Sequence, residues 1–95
     1  MASSSADVST EHASRYLQQL CKHWSHKMTT EYDPHRGRVE FPSGAVLRLE
    51  AQPASLVLTI DHDDPAMLDR LESVVAEHIA RFAFRETLEF NWIRS

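Results

Sequence analysis

Residues 28–62 read MTTEYDPHRGRVEFPSGAVLRLEAQPASLVLTIDH, and this stretch decides the fold. Within it, apolar residues alternate with polar ones in four short runs, which is the pattern of β-strands with one buried face. Turn-forming residues separate the runs at 33–37, 42–44 and 52–53. Because all three connections are short, the stretch predicts four strands joined as an antiparallel meander.

The segment before the meander changes to a helical period. Its apolar residues recur three or four positions apart and form one stripe at 100° per residue. They are Ala13, Tyr16, Leu17, Leu20, Cys21, Trp24 and Met28. This spacing predicts a helix from about Glu11 to Lys27, with Thr10 as its N-cap.

The segment after the meander predicts a second helix and a last strand. Asp64-Pro65 is a helix-start signal, because proline is favoured at the first helical position. Apolar residues then recur at helical spacing, so we expect a helix from about 65 to 83 or 85. The alternation of Leu88, Phe90 and Trp92 with polar residues predicts a strand near the C-terminus.

The order of elements predicts the fold class. Ala6 and Val8 are expected to open a short first strand, and residues 1–5 to form a disordered tail. Residues 6–95 are then a single domain with the order β-α-β-β-β-β-α-β. Each helix has one apolar stripe, so we expect an α+β two-layer sandwich with both helices on one face of a mainly antiparallel sheet.

Composition narrows the class of protein. The 95 residues are 42% hydrophobic and 25% charged, as in soluble globular domains. A single cysteine excludes an intramolecular disulfide, and two glycines exclude a glycine-rich phosphate loop. The formal charge of −4 argues against nucleic acid as a partner. No apolar run suits a membrane span or a secretory signal, so we expect a cytoplasmic protein.

Two stretches together resemble a known family. They are SRYLQQLCKHWSHK at 14–27 and HIARFAFRE at 78–86, the second followed by Trp92. Their order and spacing are similar to those of the bacterial domain-of-unknown-function family 2218. The resemblance implies no agreed activity and no defined catalytic residues. Some members are joined to siderophore-interacting flavin reductase domains, which implies a link to iron metabolism.

Basic side chains lie along the predicted inner edges of both helices. On the second helix His78, Arg81 and Arg85 form a ridge, and on the first helix His23 borders the stripe with Lys27 one turn later. Side-by-side helices would line one groove with these five residues. Such a groove suits a carboxylate or phosphate, which guanidinium groups bind in a bidentate manner. The alternative is structural: a packed His78, and arginines paired with nearby acids.

Other patterns suggest different chemistry. His23-x-x-His26 has metal-chelating spacing on a helix, so the sequence suggests a divalent transition metal as its one candidate cofactor, with His35 or His62 as further ligands. Asp61-His62-Asp63-Asp64 can hold a cation, although capping of the second helix is the favoured explanation. Cys21 lies on the apolar stripe and is expected to be a core residue rather than a reactive thiol.

The sequence thus leaves three functional hypotheses open. The favoured one is a non-enzymatic accessory domain that binds a small anionic ligand or a protein partner. The others are a metal-binding module using His23 and His26, and a small enzyme with His23 or His78 as general acid or base. A homodimer is a further alternative, since an open sheet edge or face offers a route to one.

Overall fold

A computed structural model describes residues 2–95. The elements are β1 (Ala2–Ser9), α1 (Ala13–Trp24), β2 (Thr29–Tyr32), β3 (Arg36–Glu40), β4 (Val46–Gln52), β5 (Ser55–His62), α2 (Pro65–Phe82) and β6 (Ile93–Arg94). Within these residues, six strands form one antiparallel sheet in the order β2-β3-β4-β5-β1-β6. The predicted α+β architecture and its order of elements are confirmed.

Both helices cover the same face of the sheet. α1 lies over β2 to β5, α2 lies over β5 and β1, and the two helices contact each other. The core between the layers is made by alternate strand residues, including Leu47, Leu58 and Ile60, all fully buried. Burying each such side chain contributes about 1.5–3 kcal/mol of transfer free energy. The helices themselves lack the length and apolar composition to cross a membrane, as judged for residues 2–95.

The first strand begins at Ala2 rather than at Ala6. We expected residues 1–5 to be a disordered tail, but β1 pairs with β5 from Ala2 opposite His62 to Ser9 opposite Ser55. Met1 lies outside the described residues. Polar Ser4 is fully buried, and its hydroxyl donates to the Glu72 carboxylate. Backbone pairing and this hydrogen bond therefore hold a strand whose composition is mostly small and polar.

The two helix starts differ in how closely they follow the prediction. α2 begins as expected, with Pro65 at the first position and the Asp64 carboxylate accepting from the Ala66 backbone N–H at 3.0 Å. α1 begins at Ala13, two residues later than expected. There the Thr10 hydroxyl accepts from the His12 backbone N–H at 3.1 Å, so it bonds the N-cap residue instead of being the N-cap itself.

The predicted last strand is present, but it lies at Ile93–Arg94 and not over Leu88, Phe90 and Trp92. These side chains pack, partly buried, against the core, but their backbone belongs to no strand. After α2 the chain pairs with β1 at Ile93–Arg94, opposite Ser5 and Ser4, and Ser95 adds backbone hydrogen bonds to Ser3. Partial burial of every second side chain gives the same alternation as a strand, which explains the shift in position.

Candidate functional site

The two helices bring the predicted imidazole groups together. The start of α1 meets the chain just after α2, and Trp24 at the end of α1 contacts His78, four residues before the end of α2. The ring centroids of His23 and His78 are 5.7 Å apart, and those of Trp24 and His78 are 5.1 Å apart. We call the strip formed by His23, His78 and Arg81, which follows His78 by one turn of α2, the helix-pair edge. Lys27, predicted to lie one turn after His23 on α1, lies instead in the turn beyond the end of that helix.

His78 is held in one orientation by the main chain. Its ring Nδ1 lies 2.7 Å from the carbonyl oxygen of Val74, one turn earlier on α2. A carbonyl oxygen only accepts hydrogen bonds, so Nδ1 carries the proton. The lone pair of the neutral ring is therefore on Nε2. His78 is half-buried whereas His23 is exposed, so the pair opens to solvent on the α1 side.

The cationic groups of the site are not neutralised by acids. Lys27, Arg81 and Arg85 are exposed, and within residues 2–95 none of them has a carboxylate oxygen within 4.0 Å. The pairing with nearby acids that would have made Arg81 and Arg85 purely structural is not found. A free guanidinium group keeps its donors available for a carboxylate or phosphate.

Arg85 lies in a separate cleft next to the helix-pair edge. The cleft, of about 490 Å³, is formed where the start of α1 meets the chain just after α2. Its lining residues are Glu11, His12, Arg15, Tyr16, Phe82, Phe84, Arg85 and Glu86. The Phe82 ring borders the cleft and also lies edge-on to His23, with centroids 6.3 Å apart. The predicted five-residue groove is thus two adjoining regions that share Phe82.

A half-buried carboxylate network supports the cleft and was missed from the sequence. Glu86 accepts hydrogen bonds from the hydroxyl groups of Tyr16 and Thr10. Burial, and next the hydrogen bond to Glu86, raise the pKa of the Tyr16 phenol above its ordinary value. Only the position of Tyr16 on the buried stripe was visible in the sequence, because its partner is 70 residues away.

Phe84 and Arg85 form the outer lip of the cleft. Phe84 lies beyond the end of α2 and is 79% exposed. The Arg85 guanidinium lies over its ring, 5.4 Å from the centroid. Such a cation–π contact leaves the guanidinium nitrogens open to solvent on the other side.

The remaining candidates from the sequence are a metal-binding group with further ligands, the Asp-rich segment 61–64 and the Cys21 thiol. Residues 2–95 contain no group of three or more His, Cys, Asp or Glu arranged to hold a metal ion. In the Asp-rich segment, Asp64 caps α2 and Asp61 pairs with Arg48. Burial raises the pKa of the Cys21 thiol to about 12. This thiol is therefore protonated at neutral pH and inert as a nucleophile.

A second depression lies on the sheet face opposite the helices. It measures about 590 Å³ and is lined in part by Arg36, Arg38 and Arg48 from β3 and β4. Arg38 pairs with Glu40 at 3.1 Å and Arg48 with Asp61, so two of the three arginines are neutralised. The sequence did not predict this depression, since alternating charges on strands are typical of a solvated sheet face.

Comparison with known proteins identifies a family and similar solved structures. Residues 5–93 match the family described as an uncharacterized protein conserved in bacteria. The chain is similar to the NMR structure of PA4090 from Pseudomonas aeruginosa, with 38% sequence identity and a TM-score of 0.82. That similarity covers 98% of this chain and 96% of the other. No curated protein matches. The chain therefore belongs to the bacterial domain-of-unknown-function family 2218.

Proposed function

We propose that the domain binds a small anion at the helix-pair edge and the adjoining cleft, as an accessory protein and not as an enzyme. The observation that carries this proposal is the meeting of His23 and His78 across the two helices, next to Arg81, which no carboxylate pairs. His78 also has a structural role, since it packs against Trp24 and bonds to the Val74 carbonyl. The case for a ligand therefore rests on exposed His23 and on Arg81.

The chemistry of the site favours a carboxylate or phosphate group. Arg81 lies one helical turn after His78, so its guanidinium N–H groups lie on the same side of α2 as the His78 ring. The His78 ring adds a donor at Nε2 when it is protonated, because Nδ1 is already bonded to Val74. Charge-assisted hydrogen bonds of this kind each contribute about 1.5–3 kcal/mol.

The adjoining cleft indicates room for the body of an organic anion. Its volume of about 490 Å³ is within the range of roughly 300–1,000 Å³ typical of small-molecule sites. Phe82 and Phe84 give it apolar walls, while Arg85 provides a second cation. An anion with an apolar body would thus contact both regions through Phe82.

Binding is favoured over catalysis by the surroundings of the imidazoles. A catalytic histidine is commonly oriented by a carboxylate, which stabilises the imidazolium ion. In residues 2–95 the hydrogen-bond partner of His78 is a main-chain carbonyl instead, and His23 has no hydrogen-bonded acid.

We also propose a ligand that contains iron, and this step is based on the family resemblance alone. If related domains serve siderophore-interacting reductases, a negatively charged ferric chelate belongs to the ligand class described above. The competing hypothesis for the surface formed by Phe84 and Arg85 is a protein partner that covers the exposed Phe84.

The test is a titration of metal-free protein with a panel of carboxylates, phosphates and ferric tricarboxylate chelates, followed by backbone amide NMR shifts. We expect shifts at His23, His78 and Arg81, and at least about tenfold weaker binding in Arg81→Ala, from the loss of one charge-assisted hydrogen bond. Arg70→Ala is the matched control, because Arg70 is an exposed arginine of α2 outside both regions.

Two results would refute the proposal. One is the absence of any shift up to millimolar ligand across the panel. The other is an equal loss of affinity in Arg70→Ala and Arg81→Ala, since that would mean nonspecific attraction to positive charge rather than a site.

A further inference from the structure

The His23–His78 pair has the features of a metal chelate formed between two helices. We propose that these two imidazoles together bind one divalent transition-metal ion, through Nε2 of His78 and a ring nitrogen of His23. This site is distinct from the His23-x-x-His26 spacing expected from the sequence. It does not depend on the anion proposal.

The separation of the rings fits a shared metal ion. Imidazole nitrogens bind Zn²⁺ at about 2.0–2.1 Å, which places each ring centroid about 3.2 Å from the metal. When the nitrogen–metal–nitrogen angle lies between the tetrahedral and the linear value, the centroids of two such rings are roughly 5.2–6.4 Å apart. The observed centroid distance of 5.7 Å lies in this interval.

The surroundings of His78 prepare it to be a ligand. Metal-binding histidines almost always donate their second ring N–H to a carbonyl or carboxylate, which fixes the tautomer and the ring orientation. The Val74 carbonyl does this for His78 and leaves the lone pair on Nε2. The Trp24 ring packs against His78 and the Phe82 ring against His23, so apolar groups restrict both imidazoles.

The position of His26 argues against its being the partner. α1 ends at Trp24, and the backbone N–H groups of Lys27 and Met28 both bond to the Trp24 carbonyl. His26 lies in the turn after α1, and within residues 2–95 the aromatic rings in contact with His78 are those of His23 and Trp24, not that of His26.

The site would be open and modest in affinity. Among residues 2–95 no third His, Cys, Asp or Glu completes a metal-binding group with the pair. Water or an added ligand would therefore fill the remaining coordination positions. For two nitrogen ligands the expected order of affinity is Cu²⁺ above Ni²⁺ and Zn²⁺.

The experiment is calorimetric titration of the untagged, anion-free protein with Cu²⁺, Ni²⁺ and Zn²⁺, with histidine ring NMR as a second readout. We expect one equivalent of Cu²⁺ to bind, and binding to weaken at least about tenfold in both His23→Gln and His78→Gln, since each removes one of two ligands. His26→Gln is the matched control and is expected to change affinity by less than about twofold. Binding should also fall in acidic buffer, because protons compete for the ring nitrogens.

Three outcomes would overturn this inference: no binding at millimolar metal, loss of binding in His26→Gln with His78→Gln unaffected, or equal losses in all three variants. Exposed His23 can be replaced without loss of core packing, so its variant remains informative if His78→Gln unfolds. Metal and anion are titrated separately, so failure of one proposal leaves the result for the other unchanged.

Discussion

The inner face of α1 contributes to the stability of the core, whereas its outer edge contributes to the proposed binding site. The inner face carries Leu17, Leu20 and Cys21, each fully buried against the sheet. The edge carries His23, which is exposed and has its contacts with α2 rather than with the sheet. Folding accounts for the residues of the first set, because each fills core volume. Folding does not account for exposed His23, which fills no core volume, and that is why we place function at the edge. Substitutions on the two sides should therefore separate stability from binding.

The largest effect is expected at Gly37, where the lack of a side chain leaves room for Cys21 of α1. Gly37 of β3 is buried, and an added Cβ would lie 2.7 Å from the Cys21 sulfur and 3.3 Å from the Leu49 side chain. Gly37→Ala should therefore lower the free energy of unfolding by about 1–3 kcal/mol through overpacking. Urea denaturation followed by circular dichroism measures this change.

A second substitution tests the cause. In Gly37→Ala combined with Cys21→Ala the sulfur is gone, so we expect the double variant to lose less stability than the two single losses added together. Additive losses would show that the strain of Gly37→Ala comes from another contact. Ligand and metal affinities of the folded double variant should equal those of the parent protein, because both changes lie on the inner face.

The next effect concerns the boundary between core and cleft, at Tyr16. Tyr16→Phe removes the hydroxyl that donates to the half-buried Glu86 carboxylate. We expect a loss of about 1–2 kcal/mol, because the acceptor is charged and keeps only the Thr10 hydroxyl as partner. Thermal or urea unfolding at neutral pH measures the loss. Tyr32→Phe is the matched control and should have little effect, because Tyr32 is exposed on β2.

The pH dependence of this pair has a definite sign. The pKa of Tyr16 in the folded protein is raised above its ordinary value of 10.0, first by burial and then by Glu86. The stabilising contribution is therefore fully present below about pH 10 and is lost as the pH rises toward the folded-state value, since the unfolded chain ionises first. The stability difference between parent and Tyr16→Phe should narrow in alkali. A constant difference would contradict this assignment.

The layered core was predictable because local patterns record burial. The alternation in β3 to β5 and the apolar stripe of α1 each mark the face that the structure buries. β1 was underestimated because its first residues are held by partners distant along the chain, through backbone pairing with β5 and the Ser4 hydrogen bond to Glu72. The alternation of Leu88 to Trp92 was misread because burial against the core does not require a sheet neighbour.

The site was predictable only in part, for a related reason. Helical periodicity placed His23 at the border of its stripe and His78 on the inner edge of α2, and the contact between the two helices then brought the two rings together. Arg85 was assigned to the same ridge on the assumption that α2 continued through it. Because α2 ends at Phe82, the chain turns and carries Arg85 into the neighbouring cleft. Where a helix ends depends on its tertiary surroundings, which a periodic pattern does not reveal.

The smallest effect on stability is expected at the helix-pair edge itself. Arg81→Ala removes an exposed side chain without an ion pair among residues 2–95, so the free energy of unfolding should change by less than about 0.5 kcal/mol. Urea denaturation at low and high salt checks this, with Arg94→Ala as the contrast. Arg94 bonds Glu72 at 2.7 Å and also Asp69, and these hydrogen bonds raise its pKa, so its loss should be salt-dependent and larger. If Arg81→Ala destabilised the fold as much as Arg94→Ala, the edge would be structural and its cations would no longer indicate a ligand.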